Sequence, residues 1–273
     1  VENLKNFNEL LFLKNFSAKT IKTYNSAILN VSERIEKNPN EISEMDLREY
    51  ILCHDKYSSS TRMGIINAFK CYYRLCLDKE FDHKILPRPK VEQKHPDILS
   101  VSEIQSVIDI TKNIKHKAII SLMYSCAMRV GEVTNLKIKD LDTKNDRIII
   151  KNGKGKIDRV VMLDKSLLNF LRKYWLSYQT KEYLFEGAKG LKYSEKSIQT
   201  LVKSAVNKAG IKKKISSHSM RHSCLTQMIK DGIDLRTVQK IAGHKNINTT
   251  ANYIQLVDSD ILGTVSPLSK IKL

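Results

Sequence analysis

The sequence predicts a mainly α protein of two domains, the second carrying a small antiparallel β-sheet. Apolar residues recur at helical spacing through residues 3–77. Pro87, Pro89 and Pro96, three of the chain's five prolines, cluster within residues 82–98. Proline lacks an N–H and disfavours helix before it, so this basic stretch reads as an extended linker. R-I-I-I-K at 147–151 and R-V-V-M-L at 159–163 flank N-G-K-G-K-I-D, and β-branched runs around Asn-Gly signal a hairpin. A chain of 273 residues has room for two domains and a sizeable core in at least one. The expected division is a helical domain at 1–82, a linker at 83–98 and an α-rich domain at 99–273.

The elements follow in order. Leu4, Phe7, Leu10 and Leu11 mark a helix at 3–15. Ser17 caps a longer one in which Ile21, Tyr24, Ile28, Val31 and Ile35 share a face, ended by Asn38-Pro39. A third covers Glu44 to His54, and a fourth runs from Ser58–Ser60 to Leu77. Lys19, Lys22, Arg62 and Lys70 lie on the polar faces of this bundle. In the second domain, Ser100 and Glu103 form a capping box ahead of Ile104, Val107 and Ile108. Helices are expected at 116–128, 130–136, 167–176 and 194–209, with a short strand at 183–185.

Charge narrows the function. Forty-seven Lys and Arg stand against 29 Asp and Glu, a net charge of +18. The basic residues are spread along the chain, which points to a folded basic surface and a polyanionic partner. The five cysteines are odd in number and form no C-x-x-C, so they read as reduced, mostly buried small hydrophobes in an intracellular, cytoplasmic protein. No apolar run is long enough for a membrane span, and V-E-N-L-K-N-F does not resemble a leader; lacking Met, it reads as trimmed or processed. No G-x-x-x-x-G-K-[ST] loop is present, so no nucleotide cofactor is implied. His218, His222 and Cys224 have a zinc-like spacing, but Arg221 among them would repel a metal and no acidic cluster supports one, so no metal is expected.

The chemistry concentrates in Ser216–Tyr253. His218 and Arg221, in H-S-M-R, share one face if the segment is helical. His244 follows in A-G-H-K, just past a helix end at Gly243. Tyr253 lies in a further short segment that Asn248 or Thr249 would cap. Arg holds phosphate oxygens with a planar fork, His moves protons and Tyr supplies a nucleophilic oxygen. These are the parts needed to attack a phosphodiester.

On these residues the sequence resembles the tyrosine recombinase family, of phage integrase and Xer type. That family has H-x-x-R, then G-H, then a nucleophilic Tyr, with an earlier Arg in a T-G-L-R-x-x-E-like segment and a Lys in a G-K-G hairpin. Arg129 stands in S-C-A-M-R-V-G-E and Lys154 in N-G-K-G-K, so all six positions occur in the family's order. The resemblance implies a C-shaped clamp around duplex DNA, with Lys19, Lys22, Arg62, Lys70 and the linker against its phosphates. It implies that Arg129 and Arg221 bind the scissile phosphate, that Lys154 protonates the leaving 5′-oxygen, and that His218 exchanges a proton with Tyr253 or bonds the phosphate. His244 would donate to the phosphate, and Tyr253 would form a 3′-phosphotyrosine without cofactor, metal or ATP. Four protomers on two sites would then exchange strands through a Holliday junction, as a nucleoid-associated assembly that leaves room for an accessory protein.

Two departures stand out. Where the common pattern is G-K-G-x-K-x-R, Lys156 is followed by Ile157, which makes Lys156 a rival to Lys154. Cys126-Ala127 replaces the frequent Thr-Gly; if that position has positive φ, Ala costs about 1 kcal/mol. Glu132 either orients Arg129 or is a plain helix carboxylate, and His222 reads as structural. The apolar tail at 254–273 folds back on its own domain or docks into a neighbouring protomer. The rival functions are a type IB topoisomerase, which needs only one protomer, and a non-catalytic DNA-binding regulator, which has no need of Tyr253.

Overall fold

The computed structural model describes residues 2–90, 96–151 and 158–253. Lys154, Lys156 and the tail at 254–273 lie outside them. The chain divides into two compact units, Val1–Lys94 and His95–Leu273.

The first unit is built from four α-helices: α1 (Glu2–Leu13), α2 (Ala18–Ile35), α3 (Glu44–Cys53) and α4 (Ser59–Tyr72). Serine hydroxyls begin three of them. Ser17, Ser43 and Ser58 each accept from a backbone N–H of the first turn, and Asp46 closes a capping box with Ser43. The apolar stripes meet in one core of Phe7, Leu11, Ile28, Val31, Leu47, Ile66, Phe69 and Tyr72, joined by Phe81 and Leu86 from the chain beyond the helices. Full burial of such side chains stabilises the unit by about 1.5–3 kcal/mol each. The fourth helix differs from expectation at its end, where Tyr73–Leu77 forms a π-helical turn. The wider turn lets two successive tyrosines face inward: Tyr72 donates to Asn40 Oδ1 at 2.6 Å and Tyr73 to the Ile42 carbonyl at 2.5 Å.

The second unit packs α5 (Val101–Ile110), α6 (Ile114–Ser125), α7 (Val130–Asn135), α8 (Lys165–Tyr178), α9 (Glu195–Lys208), α10 (Ser217–Lys230), α11 (Leu235–Ala242) and α12 (Ile247–Ala251) around a sheet. The sheet has three antiparallel strands in order, β1 (Leu141–Asp142), β2 (Arg147–Ile150) and β3 (Arg159–Met162). The expected hairpin is β2–β3, with Ile150 opposite Arg159 and Arg147 opposite Met162. Ile148, Ile150 and Val161 enter a core centred on Ile119, Leu122, Met123, Leu171 and Phe185. The short strand β1 has too few residues to show a period. Residues 183–185 form no strand, contrary to expectation; Tyr183 makes one isolated bridge to Lys137. The cause is local: Glu186 Oε1 accepts from the backbone N–H of Lys181, Glu182 and Tyr183 at 3.0, 2.9 and 3.3 Å, and so turns the chain away. A smaller apolar cluster of Ala127, Cys224, Leu225, Val238, Ala242 and Tyr253 lies where α6, α10, α11 and α12 converge.

Candidate active site

That small cluster is the floor of the candidate site. At its edge α6 ends on Cys126, and the next residue, Ala127, has φ +47°. Ala127 therefore sits in the left-handed region, at a cost of about 1 kcal/mol relative to glycine. The bend turns the chain into α7, whose N-cap is Arg129. Glu132, at the third position of α7, accepts from the Arg129 backbone N–H at 2.7 Å and from Arg129 Nη1 at 2.9 Å. Its carboxylate also takes a two-pronged bond from Arg159, with Nη1 2.5 Å from Oε1 and Nη2 2.7 Å from Oε2. Glu132 is thus the tie between two arginines. Burial pushes its carboxyl up, but the Arg159 hydrogen bonds and the two positive charges outweigh that and hold it below the usual range.

Arg159 is absent from the sequence-predicted set, although it fills the final Arg of the G-K-G-x-K-x-R pattern. It lies on the inward face of β3 and is 7% exposed. Its Nε donates to the Ile241 carbonyl at 2.7 Å, which ties the sheet to the end of α11. Gly243 caps α11 with φ +61°, and a Cβ there would lie 2.9 Å from Arg159 Cδ. Glycine is required at this position twice over, by conformation and by space.

Arg221 is 2% exposed on α10. Its Nη1 donates to the Ala127 carbonyl at 2.6 Å and its Nη2 to the Ala242 carbonyl and to His244 Nε2, the latter at 3.1 Å. The strained bend and the α11 cap are therefore the two hands that hold this guanidinium. Burial, then the charges of Arg129 and Arg159, push its pKa down to about 10. His244 must accept at Nε2, so its ring proton lies on Nδ1, 2.9 Å from Thr250 Oγ1. Burial, with Arg221 and Arg129 next, holds His244 down to about 4.

Tyr253 follows α12, which is capped by Asn246 rather than by Asn248 or Thr249. The Asn246 side chain reaches Asn248 N, so the helix begins one residue before the expected caps. The Tyr253 ring is 4% exposed and lies parallel to His244, with ring centroids 6.2 Å apart. Burial raises its phenol above the ordinary value, against the downward pull of Arg221 and Arg129. In this state the neighbouring arginines do not win. His222, set aside as structural on sequence, has Nδ1 2.7 Å from Tyr253 Oη. Its spacing of one turn from His218 was the available signal. His218 is exposed on the first turn of α10, with its ring centroid 5.8 Å from that of His222.

The structure thus brings together Arg129, Glu132, Arg221, His244 and Tyr253, with His218 beside them, and adds Arg159 and His222. Arg129 and Arg159 share the carboxylate of Glu132 and Arg221 lies near them without a carboxylate bond, so the floor around Tyr253 is net positive. No group of three or more His, Cys, Asp or Glu among the described residues is arranged to hold a metal. In the first unit, Lys19 and Lys22 are exposed on α2. Arg62 and Lys70 are half-buried, with Arg62 Nη2 donating to the Asp55 carbonyl at 2.6 Å and Lys70 Nζ to His83 Nε2 at 3.1 Å.

The sequence pattern of the phage integrase family matches residues 97–259, and that of the phage integrase N-terminal SAM-like domain matches residues 4–83. The chain belongs to the phage integrase family. Among similar members, putative integrase/recombinase y4qK of Sinorhizobium fredii is 30% identical over 93% of this chain and 84% of that protein. Tyrosine recombinase XerA of Pyrococcus horikoshii is 32% identical over 73% of this chain and 70% of that protein. The crystal structure of XerA recombinase shares 28% identity and superimposes with a TM-score of 0.58, covering 97% of this chain and 99% of that one. XerH bound to its palindromic difH substrate in a post-cleavage complex has a TM-score of 0.75 at 23% identity, over 92% of this chain and 82% of that one, which shows the shared fold. This phage integrase family member is a tyrosine-type site-specific recombinase. The relaxing-enzyme and regulator readings are not favoured.

Proposed function

We propose that the protein cleaves and rejoins one strand at a time at a DNA recombination site, with Tyr253 as nucleophile. The observation that carries this reading is the net positive, largely buried floor of Arg129, Arg159 and Arg221 beside a buried tyrosine. A scissile phosphate supplies the missing negative charge. Its oxygens compete for the Arg129 and Arg221 donors, and the transition state, with more negative charge than the ground state, gains more from them. Arg159 is committed to Glu132 and Ile241 and acts by positioning. An anion beside His244 favours the imidazolium, so that His244 becomes a donor to the phosphate. His218 is assigned to the phosphate, from the exposed face of α10. Lys154 protonates the leaving 5′-oxygen, with Lys156 as its rival.

The product is a 3′-phosphotyrosine and a free 5′-hydroxyl. The covalent link keeps the phosphodiester energy, so a 5′-hydroxyl of a second duplex can reseal it. Four protomers on two sites carry out two such exchanges with a Holliday junction between them. The helical unit at 1–82 and the catalytic unit at 99–273 both bind the duplex. Relatives described as integrases and Xer recombinases support this assignment. On a nicked suicide substrate the protein is expected to form a covalent adduct with and without EDTA, and Tyr253→Phe to bind without forming it. A 5′-bridging phosphorothiolate should rescue Lys154→Ala and leave Lys156→Ala unchanged, since sulfur departs without a proton. An adduct formed by Tyr253→Phe would refute the nucleophile assignment, and rescue of Lys156→Ala alone would move the acid to that residue.

A further inference from the structure

The histidine bonded to the tyrosine is not the one in the H-x-x-R motif. His222 Nδ1 lies 2.7 Å from Tyr253 Oη, and the two ring centroids are 5.4 Å apart at an interplanar angle of 40°. Tyr253 has a single phenolic proton, and the hydrogen-bond partner of its oxygen among the described residues is that imidazole nitrogen. With the phenol as donor, Nδ1 accepts and the ring proton of His222 lies on Nε2, the tautomer that a proton-accepting His222 requires. The geometry follows from helix spacing. His218 and His222 are one turn apart on α10, while Arg221 points away to Ala127, Ala242 and His244.

We propose that His222 is the general base that takes the Tyr253 proton during strand cleavage and returns it on resealing. This rests on the reading of Tyr253 as nucleophile. In the step, the phenolic O–H breaks and its proton moves to the Nδ1 lone pair. The phenol oxygen bonds to phosphorus, the bond from phosphorus to the 5′-oxygen breaks, and that oxygen takes a proton from Lys154. His222 ends as imidazolium and Lys154 as neutral amine, and resealing reverses both.

The surroundings suit the role. Burial and the neighbouring His218 and Arg221 of the same helix hold His222 down to about 4, so the ring is neutral near pH 7 and able to take up a proton. The groups facing it from other segments are Tyr253 itself and His244. An incoming phosphate favours the imidazolium. The phenol oxygen also loses basicity as its bond to phosphorus forms, so proton transfer accompanies attack and does not have to precede it.

The test uses the full chain and single-turnover cleavage of the nicked suicide substrate. His222→Gln is expected to slow adduct formation by roughly 10²–10⁴-fold, the range of general-base contributions. With 2,3,5-trifluorotyrosine at position 253, a far more acidic phenol, that variant should recover at least roughly tenfold, because an ionised nucleophile needs no base. A merely structural histidine would give no such recovery. An undiminished rate in His222→Gln, a loss that the fluorinated tyrosine does not recover, or recovery confined to His218→Gln would overturn the proposal. In the unmodified protein, ¹⁵N NMR should show His222 with Nδ1 unprotonated, and an Nδ1–H tautomer would overturn it whether or not the variants fold. Adduct formation by Tyr253→Phe would instead remove the underlying nucleophile reading, and so is told apart from a failure of His222.

Discussion

At the scale of single residues, the site depends on buried ionisable groups whose charge states oppose one another. Glu132 carries a negative charge because two arginines require it. His222 and His244 are held neutral because burial and nearby positive charge disfavour their imidazolium forms. This has a definite consequence for stability against pH. The two histidines have folded values of about 4, below the ordinary value of 6.5, so the unfolded chain binds protons first as pH falls. Stability should therefore drop as pH falls from 6.5 toward 4. Glu132 has the depressed carboxyl, and its contribution is present above its ordinary value of 4.5 and lost as pH falls through its lower folded value. Urea midpoints measured across this range should show the loss, and His244→Asn should flatten its upper part. Midpoints independent of pH between 4 and 6.5 would contradict the neutral assignment of the histidines.

At the scale of elements, helix ends place the functional groups. Arg129 is the N-cap of α7, the Arg221 guanidinium is bonded to the Ala127 bend and the α11 terminus, and His244 follows the Gly243 cap. Helix termini leave carbonyls without intrahelical partners, and here the Ala242 carbonyl finds its partner in a guanidinium. Gly243 is the most constrained of these positions. Gly243→Ala would impose the left-handed conformation on a side chain, at about 1–2 kcal/mol, and press a methyl group against Arg159. The expected outcome is a chemical-denaturation midpoint lowered by at least that amount, together with a large loss of cleavage rate as Arg159 and Glu132 shift. A variant with unchanged stability and rate would show that the α11 terminus does not determine the arginine geometry.

At the scale of the whole molecule, the net charge of +18 governs binding more than folding. No helix among the described residues is long and apolar enough to cross a membrane. Each phosphate neutralised by Lys or Arg releases counterions, so log affinity for duplex DNA should fall linearly with log salt. With about 6–10 phosphates contacted, affinity should drop roughly 10³–10⁵-fold between 50 and 200 mM salt. Lys19→Ala and Lys22→Ala should each reduce the slope by about 1, since both side chains are exposed on α2. Arg62→Ala and Lys70→Ala should reduce it less, because those groups are already bonded to Asp55 and His83. Filter binding or fluorescence anisotropy at several salt concentrations checks both statements, and a flat salt dependence would exclude the basic surface as the binding face.

The sequence by itself determined the helical class, the serine-capped helix starts, the β2–β3 hairpin and the motif residues Arg129, Arg221, His244 and Tyr253. These are legible because caps, turn residues and periodicity act over a few neighbouring positions. Only the tertiary structure decided the partners of those residues. Arg159 occupies a pattern position on sequence without a visible partner, and it becomes the second arm of Glu132 only when β3 packs beside α7 and α11. His222 reads as a neighbour of the motif arginine, and it meets Tyr253 only because α12 returns the chain to α10 across 31 residues. The π-helical turn after Tyr72 escaped for the same reason, since Tyr72 and Tyr73 bond Asn40 and Ile42, 32 and 31 residues away. The free energy that selects a hydrogen-bond partner or a proton acceptor depends on burial and on charges brought from distant segments, and no local pattern in the chain encodes that distance.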